Sequence, residues 1–339
     1  MKATPAYSYP QLTGLLLGPL AFVLVLLVYQ PAGLSPEGQA VLATTLWVAI
    51  WWITEAAPIE VTALLPGILF PLTGGLAVKE TTQAYGHPLV FLFLGGFLIA
   101  LAIERWNLHR RIALTIIARV GTSGPRLVMG FMLATAFLSM WISNTATSLM
   151  MMPIGLALIR QVTHTPTAQA APATPFAKAL MLGIAYSSSI GGMSTLIGTP
   201  PNLVFAAVVK DIFGVEISFA RWFVFAFPFS VTLLMLCWWY LVKIAFRLQV
   251  REVSEGVEEI RAQLRQLGPL RSAERLVLAV FGLTALAWIS RSFLLQRWIP
   301  MLDDTIIALS GAMLLFLLPV PGQPGMRVMD WRATARLPW

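Results

Sequence analysis

Long apolar runs, separated by short polar segments, dominate the 339-residue chain. A membrane-spanning helix needs roughly 20 apolar residues to cross the hydrocarbon core of a bilayer. The runs are continuous, whereas the strands of an outer-membrane barrel alternate apolar and polar positions. The pattern therefore predicts a polytopic all-α membrane protein. Its predicted helices lie near 11–29, 40–56, 60–75, 88–104, 178–209, 219–245, 274–292 and 304–320.

The composition agrees with a chain that lies in lipid. Hydrophobic residues make up 58% of the chain and charged residues 11%, whereas about 25% of the residues of a soluble protein are charged. The net charge of +8 is typical of a membrane protein whose Arg and Lys residues gather in cytoplasmic loops, so we expect no nucleic-acid partner. The single cysteine, Cys237, rules out a disulfide framework.

Basic residues concentrate in two segments, 105–126 and 243–275. The positive-inside rule places both in the cytoplasm. The first mixes basic and apolar residues, as an interfacial amphipathic helix does, and 254–267 is predicted to be a charged surface helix. The connections 76–87 and 210–218 carry little positive charge and are placed outside. The chain is expected to lie in a bacterial inner membrane, with its amino terminus in the cytoplasm.

The segment 127–160 contains a polar interruption, Ser143-Asn144-Thr145, between two apolar stretches. Arg126 and Arg160 flank the segment, so both of its ends favour the same side of the membrane. This pattern favours a re-entrant hairpin with a polar tip at membrane depth, which is tolerated where protein or a watery cavity covers it. A single long span with a polar kink is the alternative.

A second irregular stretch, 191–202, interrupts the predicted helix at 178–209. Pro200 and Pro201 cannot continue a helix, and glycines in this stretch let the backbone approach a ligand. A broken helix exposes carbonyl groups that suit Na⁺ and amide groups that attract anions. Such helices mark the substrate site in many secondary transporters. Proline kinks that serve packing alone are the alternative, but two broken elements rich in Ser, Thr and Asn favour a site.

Neither irregular element contains an acidic residue, a histidine or a cysteine. A proton-coupled transporter more often buries a carboxylate within its site, and an intramembrane enzyme needs acid–base or nucleophilic groups. A neutral site rich in hydroxyl groups suits Na⁺ and an anion that compensate each other. We therefore expect a transporter with no catalytic residues, and not an enzyme.

Several motifs together resemble the divalent anion:sodium symporter (DASS) family, which includes sodium/dicarboxylate transporters. Each motif is weak alone, but jointly they are specific and cover the chain from about residue 10 to its end. The motifs are Trp51-Trp52-Ile53-Thr54-Glu55-Ala56-Ala57-Pro58, Thr62-Ala63-Leu64-Leu65-Pro66, Phe93-Leu94-Gly95-Gly96-Phe97, Leu108-His109-Arg110-Arg111, Ser143-Asn144-Thr145-Ala146-Thr147, Met152-Pro153-Ile154 and Ile197-Gly198-Thr199-Pro200-Pro201-Asn202.

The resemblance implies an inverted-repeat secondary transporter in membrane lipid. Such proteins are usually homodimers that move Na⁺ with a small dianion by an elevator-type mechanism, without an organic cofactor. Carried over to this sequence, the Na⁺ ligands are Ser143, Asn144 and Gly198, with Ser139 as a weaker candidate. The residues expected to bind substrate are Asn144, Thr145, Thr199 and Pro200.

The resemblance also predicts how the chain is organised. A first transmembrane helix and loop are expected over 1–39, and a first repeat over 40–250, with its hairpin at 127–160 and its broken helix at 178–209. A charged cytoplasmic helix over 251–272 and the start of a second repeat over 273–339 follow. Trp288-Ile289-Ser290 resembles Trp52-Ile53-Thr54. Because the family continues into a second hairpin beyond the position of Leu337-Pro338-Trp339, a truncated second repeat is expected.

Three functional hypotheses follow. The first is symport of a small divalent anion with Na⁺ in the complete protein, and a C4-dicarboxylate is the favoured substrate. The second is a dicarboxylate exchanger that is not coupled to Na⁺, because related antiporters share these motifs. The third is a truncated membrane protein that does not transport. The sequence does not choose among succinate, malate, fumarate, citrate and sulfate.

Overall fold

The structure, a computed structural model, describes residues 7–163, 174–249 and 254–336. This part of the chain is helical almost throughout, with an isolated antiparallel bridge between Pro319 and Arg327. It divides into two compact units, one ending at Val90 and one beginning at Phe91. The residues 337–339, where the truncated second repeat is expected to stop, lie outside the described ranges.

The first unit contains α1 to α5. Gln39, near the start of α2, donates from Nε2 to Val25 O at 2.9 Å and to Tyr29 O at 2.8 Å. This side chain therefore binds carbonyl groups in the last turn of α1 and just beyond it, where backbone partners run out. The helices are α1 Tyr9–Val28, α2 Pro36–Thr54, α3 Ile59–Thr62, α4 Leu65–Thr73 and α5 Val78–Tyr85.

The prediction of one helix near 60–75 is wrong, because two short helices, α3 and α4, share this segment. Pro66 lies in the first turn of α4, where its missing amide proton costs nothing but where a preceding helix cannot run through. Tyr85 donates from Oη to the carbonyl of Ala63 between the two helices, at 2.6 Å. Tyr85 belongs to α5, which lies within the segment 76–87 that was predicted to be a plain connection.

The second unit contains the rest of the described helices, and α6 begins at the boundary between the units. The helices are α6 Pro88–Arg105, α7 Leu108–Val120, α8 Gly124–Ser139, α9 Asn144–Val162, α10 Pro175–Met193, α11 Pro200–Phe213, α12 Phe219–Trp239, α13 Ser254–Gln266, α14 Ser272–Ser290, α15 Gln296–Trp298 and α16 Asp304–Leu317. Short π-helical segments, Tyr240–Ala245 and Arg291–Leu295, continue α12 and α14. A 3-10 helix spans Trp331–Arg336.

Within the described residues, 5 helical segments are long and apolar enough to cross a membrane. Three further apolar helical segments, Ile59–Thr73, Gly124–Ser139 and Asp304–Leu317, are shorter. These findings confirm an all-α polytopic membrane protein. The repeat boundaries at 40–250 and 273–339 stay a prediction. The longer segments are Tyr9–Val28, Val78–Arg105, Asn144–Val162, Phe219–Ala245 and Ser272–Trp298.

Helix α8 runs parallel to α10. A methyl group built on Gly191 would meet the carbonyl oxygen of Ala136 at 2.2 Å. Earlier in both helices, a methyl group on Gly183 would meet Met132 Cγ at 3.1 Å. Residue numbers therefore rise together along the contact, and the small residues let the two backbones approach closely.

Helix α9 runs antiparallel to α10. Ser148 donates from Oγ to Ser188 Oγ at 2.8 Å, whereas a methyl group on Gly155, further along α9, would meet Met181 Cε at 2.7 Å. Residue numbers thus rise in α9 as they fall in α10. Since α8 is parallel to α10, α8 and α9 form a helical hairpin whose tip at 140–143 lies beside the end of α10. The single kinked span is thereby excluded.

The two basic segments that were both predicted to be cytoplasmic lie against each other. Arg111 in α7 pairs with Glu274 in α14, Nε to Oε2, at 2.9 Å and donates from Nη1 to Gly268 O at 2.8 Å. Arg110 donates from Nη2 to Gln263 Oε1 in α13 at 3.3 Å. Arg111 therefore ties α7 both to the turn that follows α13 and to the first turn of α14.

Candidate functional site

The hairpin tip ends in a capped helix. Ser143 is the N-cap residue of α9, and its Oγ accepts a hydrogen bond from the amide of Ala146 at 3.3 Å. A serine at this position satisfies an amide group that would otherwise have no partner. The Ser143 hydroxyl retains a second lone pair, so it can still bind a cation.

Ser139 and Asn144 bond to each other across the tip. The Oγ of Ser139, the last residue of α8, donates to Oδ1 of Asn144, the first residue of α9, at 2.8 Å. Ser139 is completely buried and Asn144 is half-buried. The amide oxygen of Asn144 is thus held in one orientation and keeps a further lone pair.

Helix α10 ends at Met193, and α11 begins at Pro200, so the predicted break in the helix at 178–209 is confirmed. A methyl group on Gly192 would lie 2.2 Å from Asn144 Oδ1, and one on Gly198 would lie 2.4 Å from Gly192 O. Gly192 therefore contacts both Asn144 and Gly198, and only residues without a Cβ fit at the two glycine positions. This contact joins the hairpin tip to the break.

The break leaves carbonyl groups at the end of α10, and side-chain donors satisfy them. Asn202 donates from Nδ2 to Gly192 O at 3.0 Å and to Thr195 O at 2.7 Å. Trp222 donates from Nε1 to Met193 O at 2.9 Å. The expectation that the break leaves its carbonyls free is wrong for these groups. A carbonyl oxygen has two lone pairs, so Gly192 O and Met193 O can still contact an ion, whereas Thr195 O also accepts from the amide of Gly198 at 3.4 Å.

Thr195 provides a second link between the break and the tip. This residue is completely buried, and its hydroxyl donates to the carbonyl of Met140. Sequence reasoning assigned no role to Thr195, Asn202 or Trp222. Thr195 and Asn202 lie in or beside the quoted motif and could have been suspected as hydrogen-bonding groups. Trp222 belongs to α12, and no sequence signal connects it with α10.

The predicted site residues fall into two sets. Ser139, Ser143, Asn144 and Gly198, the predicted Na⁺ ligands, lie together at the junction of tip and break. Of the residues predicted to bind substrate, Thr145 and Pro200 are exposed and Thr199 is half-buried, outside the contacts that bury the junction. Asn144 starts α9 and Pro200 starts α11, and helix amino termini favour anions.

The chemistry of the junction is that of neutral oxygen donors. Within the described residues there is no group of three or more His, Cys, Asp or Glu side chains that could hold a metal ion. The junction instead offers hydroxyl, amide and backbone carbonyl groups. Unwound carbonyls and helix ends of this kind coordinate Na⁺ in transporters with discontinuous helices.

Comparison with known proteins decides the family. Residues 10–339 match the family described as the sodium:sulfate symporter transmembrane region. The chain belongs to this family. The match confirms the resemblance to divalent anion:sodium symporters, and the family is one of membrane transporters rather than enzymes.

Individual relatives agree with the family. The chain is 46% identical to the sodium-dependent dicarboxylate transporter SdcS of Staphylococcus saprophyticus and 44% identical to SdcS of Staphylococcus aureus strain RF122. It is also 43% identical to SdcS of Staphylococcus aureus strain USA300. Each alignment covers 100% of this chain and 66% of the relative. The chain therefore spans just under two thirds of the length of these relatives.

Proposed function

We propose that this protein transports a C4-dicarboxylate across the bacterial cell membrane together with Na⁺. The main support is the contact of Ser139, Asn144, Gly192 and Gly198, which gathers neutral oxygen donors where a hairpin tip meets a broken helix. The relatives that share up to 46% identity are named sodium-dependent dicarboxylate transporters. The proposal concerns the whole protein that contains this chain.

In the proposed site, Na⁺ binds to the side-chain oxygens of Ser139, Ser143 and Asn144 and to the backbone oxygen of Gly198. Such a site is neutral when empty, so it can release its ion without exposing a buried charge. The bound Na⁺ adds one positive charge beside the amino termini of α9 and α11. This charge then favours the binding of an anion at the same place.

The proposed substrate contacts are Asn144, Thr145, Thr199 and Pro200, on the exposed side of the junction. The amide group of Asn144 and the hydroxyl of Thr145 can donate to a carboxylate. Because Asn144 serves both the ion and the substrate, binding of one organises the group that binds the other. This shared residue is the proposed basis of coupling.

We further propose a homodimer with elevator-type movement, a cytoplasmic amino terminus and inverted repeats, as the family resemblance implies. The mutual packing of the basic segments of α7 and α13 supports one shared cytoplasmic side for them. Cysteine-accessibility labelling in intact cells tests the topology, and cross-linking in the membrane tests the dimer.

Uptake into liposomes tests the proposed function. The product of the entire open reading frame is reconstituted, and uptake of radiolabelled succinate is measured with an inward gradient of Na⁺ or of K⁺. We expect uptake in Na⁺ that is abolished in K⁺. Equal rates in both salts would refute coupling to Na⁺. If uptake is absent in both salts and also absent from liposomes preloaded with unlabelled succinate, the protein transports this substrate neither by symport nor by exchange.

Competition identifies the substrate class. Excess unlabelled malate or fumarate is expected to inhibit succinate uptake, whereas sulfate is expected to leave it unchanged. Stronger inhibition by sulfate than by malate would replace the dicarboxylate assignment with a sulfate assignment while leaving Na⁺ coupling intact.

A further inference from the structure

The hairpin tip carries one large aromatic residue, Trp141, two positions before Ser143. Its ring is nearly parallel to Phe219 of α12, with centroids 6.1 Å apart and an interplanar angle of 19°. It is also nearly parallel to Trp288 of α14, at 6.4 Å and 10°. The edge contact with Phe281 has a centroid distance of 4.8 Å. Trp141 therefore docks the tip on α12 and α14.

Phe219 and Trp288, which we call the aromatic platform, are rigidly placed. Their centroids are 5.1 Å apart with an interplanar angle of 15°, and both residues are buried. Asp304, the first residue of α16, holds both of them. Its Oδ2 accepts from the amide of Phe219 at 2.9 Å, and its carbonyl accepts from Trp288 Nε1 at 3.0 Å.

A buried ion pair fixes Asp304 in turn. Arg291 lies with Nε 3.0 Å from Asp304 Oδ1, and its Nη2 donates to Glu216 Oε1 at 2.9 Å. The side chain of Arg291 is only 3% exposed. A buried charge that loses its partner is costly, so this pair resists rearrangement. The ends of α12, α14 and α16 are thus bonded into one support beneath the aromatic platform.

The turn 140–143 is held from two sides. On one side, Thr195 donates to Met140 O, which ties the turn to the broken helix. On the other side, Trp141 rests on the aromatic platform. Ser143 is the last residue of this turn, and Asn144 follows it. The side-chain oxygens of both residues therefore keep their positions only if the turn keeps its orientation. Ligand sets need to be held to within about 0.5 Å to work.

We propose that Trp141 is a positioning residue for the proposed Na⁺ site. By stacking on the aromatic platform it orients the turn that presents Ser143 and Asn144 toward Gly192 and Gly198. The inference rests on the proposed function, because it assigns a supporting residue to that same site. Trp141 touches neither the ion nor the substrate in this assignment.

The test compares W141A with W141F, and uses W238F as the matched control. Trp238 is a half-buried tryptophan of α12 whose Nε1 donates to Pro125 O at 2.9 Å, at the start of α8 and away from the tip.

The readout is the Na⁺ concentration that gives half-maximal succinate uptake, together with the maximal rate. W141A is expected to raise the half-maximal concentration about tenfold, as a displaced binding group does, with a smaller change in maximal rate. W141F should restore most of the loss, and W238F should match the original protein.

A double substitution tests the ion pair beneath the aromatic platform. In R291M/D304N both partners of the ion pair become uncharged together, which avoids leaving one buried charge alone. We expect a rise in the half-maximal Na⁺ concentration that is smaller than for W141A. In the W141A background the double substitution should add little, because the two changes act through the same contact. Full additivity would overturn the role of the aromatic platform.

A readout independent of transport keeps the two proposals separable. Cys237, the single cysteine, is replaced by serine, and a spin label is attached at L149C, an exposed position on α9. Without Na⁺, W141A is expected to increase the mobility of the label, whereas W238F is not. If the original protein shows no Na⁺ dependence, the proposed function fails and label mobility alone decides the positioning role. Unchanged mobility and unchanged Na⁺ dependence in a folded W141A protein would refute the inference.

Discussion

Two polar groups of residues in the second unit differ in charge. The tip cluster, formed by Ser139, Asn144, Gly192, Gly198 and Asn202, holds together through hydroxyl, amide and carbonyl groups. The anchor cluster holds together through charges, and consists of Glu216, Arg291 and Asp304. Both lie against helix ends, so the helix breaks alone do not explain the difference.

The difference matches the roles that the proposed function gives to the two clusters. A buried ion pair is costly to separate, by about 3–5 kcal/mol when one partner is removed, so it suits a support that never changes partners. Losing the partner of a buried neutral group costs about 1–3 kcal/mol. Neutral groups can therefore exchange a protein partner for an arriving ion. We therefore expect function at the tip cluster and stability at the anchor cluster.

The largest effect is expected when the side-chain amide of Asn144 is removed, because this group is proposed to bind both Na⁺ and substrate. N144A deletes both the partner of Ser139 and the proposed contacts with Na⁺ and substrate, so we expect Na⁺-dependent uptake to fall at least about 100-fold. The fold should persist, because Asn144 is only half-buried. Uptake and thermal unfolding in detergent are measured side by side with T232A, an exposed residue of α12. Normal uptake by N144A would remove the tip cluster from the mechanism.

The close approach of the two glycines gives the next largest effect. In G198A the new methyl group would lie 2.4 Å from Gly192 O, whereas a methyl group on Gly282 in α14 meets nothing within 4 Å. We expect G198A to lose most Na⁺-dependent uptake by pushing the break away from the tip. G282A should leave uptake unchanged and stabilise α14 by about 0.5–1 kcal/mol. Equal uptake by the two variants would show that the contact is dispensable.

At the anchor cluster the expected loss is of stability. D304N leaves Arg291 buried without a full counter-charge, so unfolding should become easier by about 3 kcal/mol. Thermal unfolding of the purified protein in detergent measures this change. At a temperature where D304N is still folded, Na⁺ dependence should change less than in N144A. If D304N instead abolished Na⁺ dependence and left stability unchanged, the assignment of roles to the two clusters would be reversed.

The smallest expected effect is a dependence of stability on pH. The hydrogen bond from Arg291 lowers the pKa of Glu216 below its ordinary value. A carboxylate with a lowered pKa contributes stability that is present above its unfolded pKa and is lost as the pH falls through its folded pKa. Because Glu216 is 59% exposed, this contribution is expected to be below about 1 kcal/mol. Unfolding temperatures measured from pH 7 down to pH 4 should fall slightly more for the original protein than for E216Q, and parallel curves would exclude the contribution.

Much of the helix order could be read from the sequence, because most of the long apolar runs fold into a single helix. The runs at 88–104 and 219–245 correspond closely to α6 and to α12 with its π-helical continuation. The segment 60–75 misled the prediction, since its apolar content is that of one span while Pro66 and the bond from Tyr85 to Ala63 divide it. The hydrophobicity of a segment predicts whether it lies in lipid, but it does not predict where the chain turns.

The residue types of the candidate site could also be predicted from the sequence. Ser143, Asn144 and Gly198 lie in motifs whose residue types bind ions and whose proline and glycine neighbours break helices. Three features depend on contacts within the folded chain. They are the hairpin at 127–160, the bonds from Asn202 and Trp222 to carbonyls of α10, and the stacking of Trp141 on a platform bonded to Asp304. These contacts join residues that are far apart in the chain. A local pattern carries helix and turn preferences, but distant partners meet only when the helices pack.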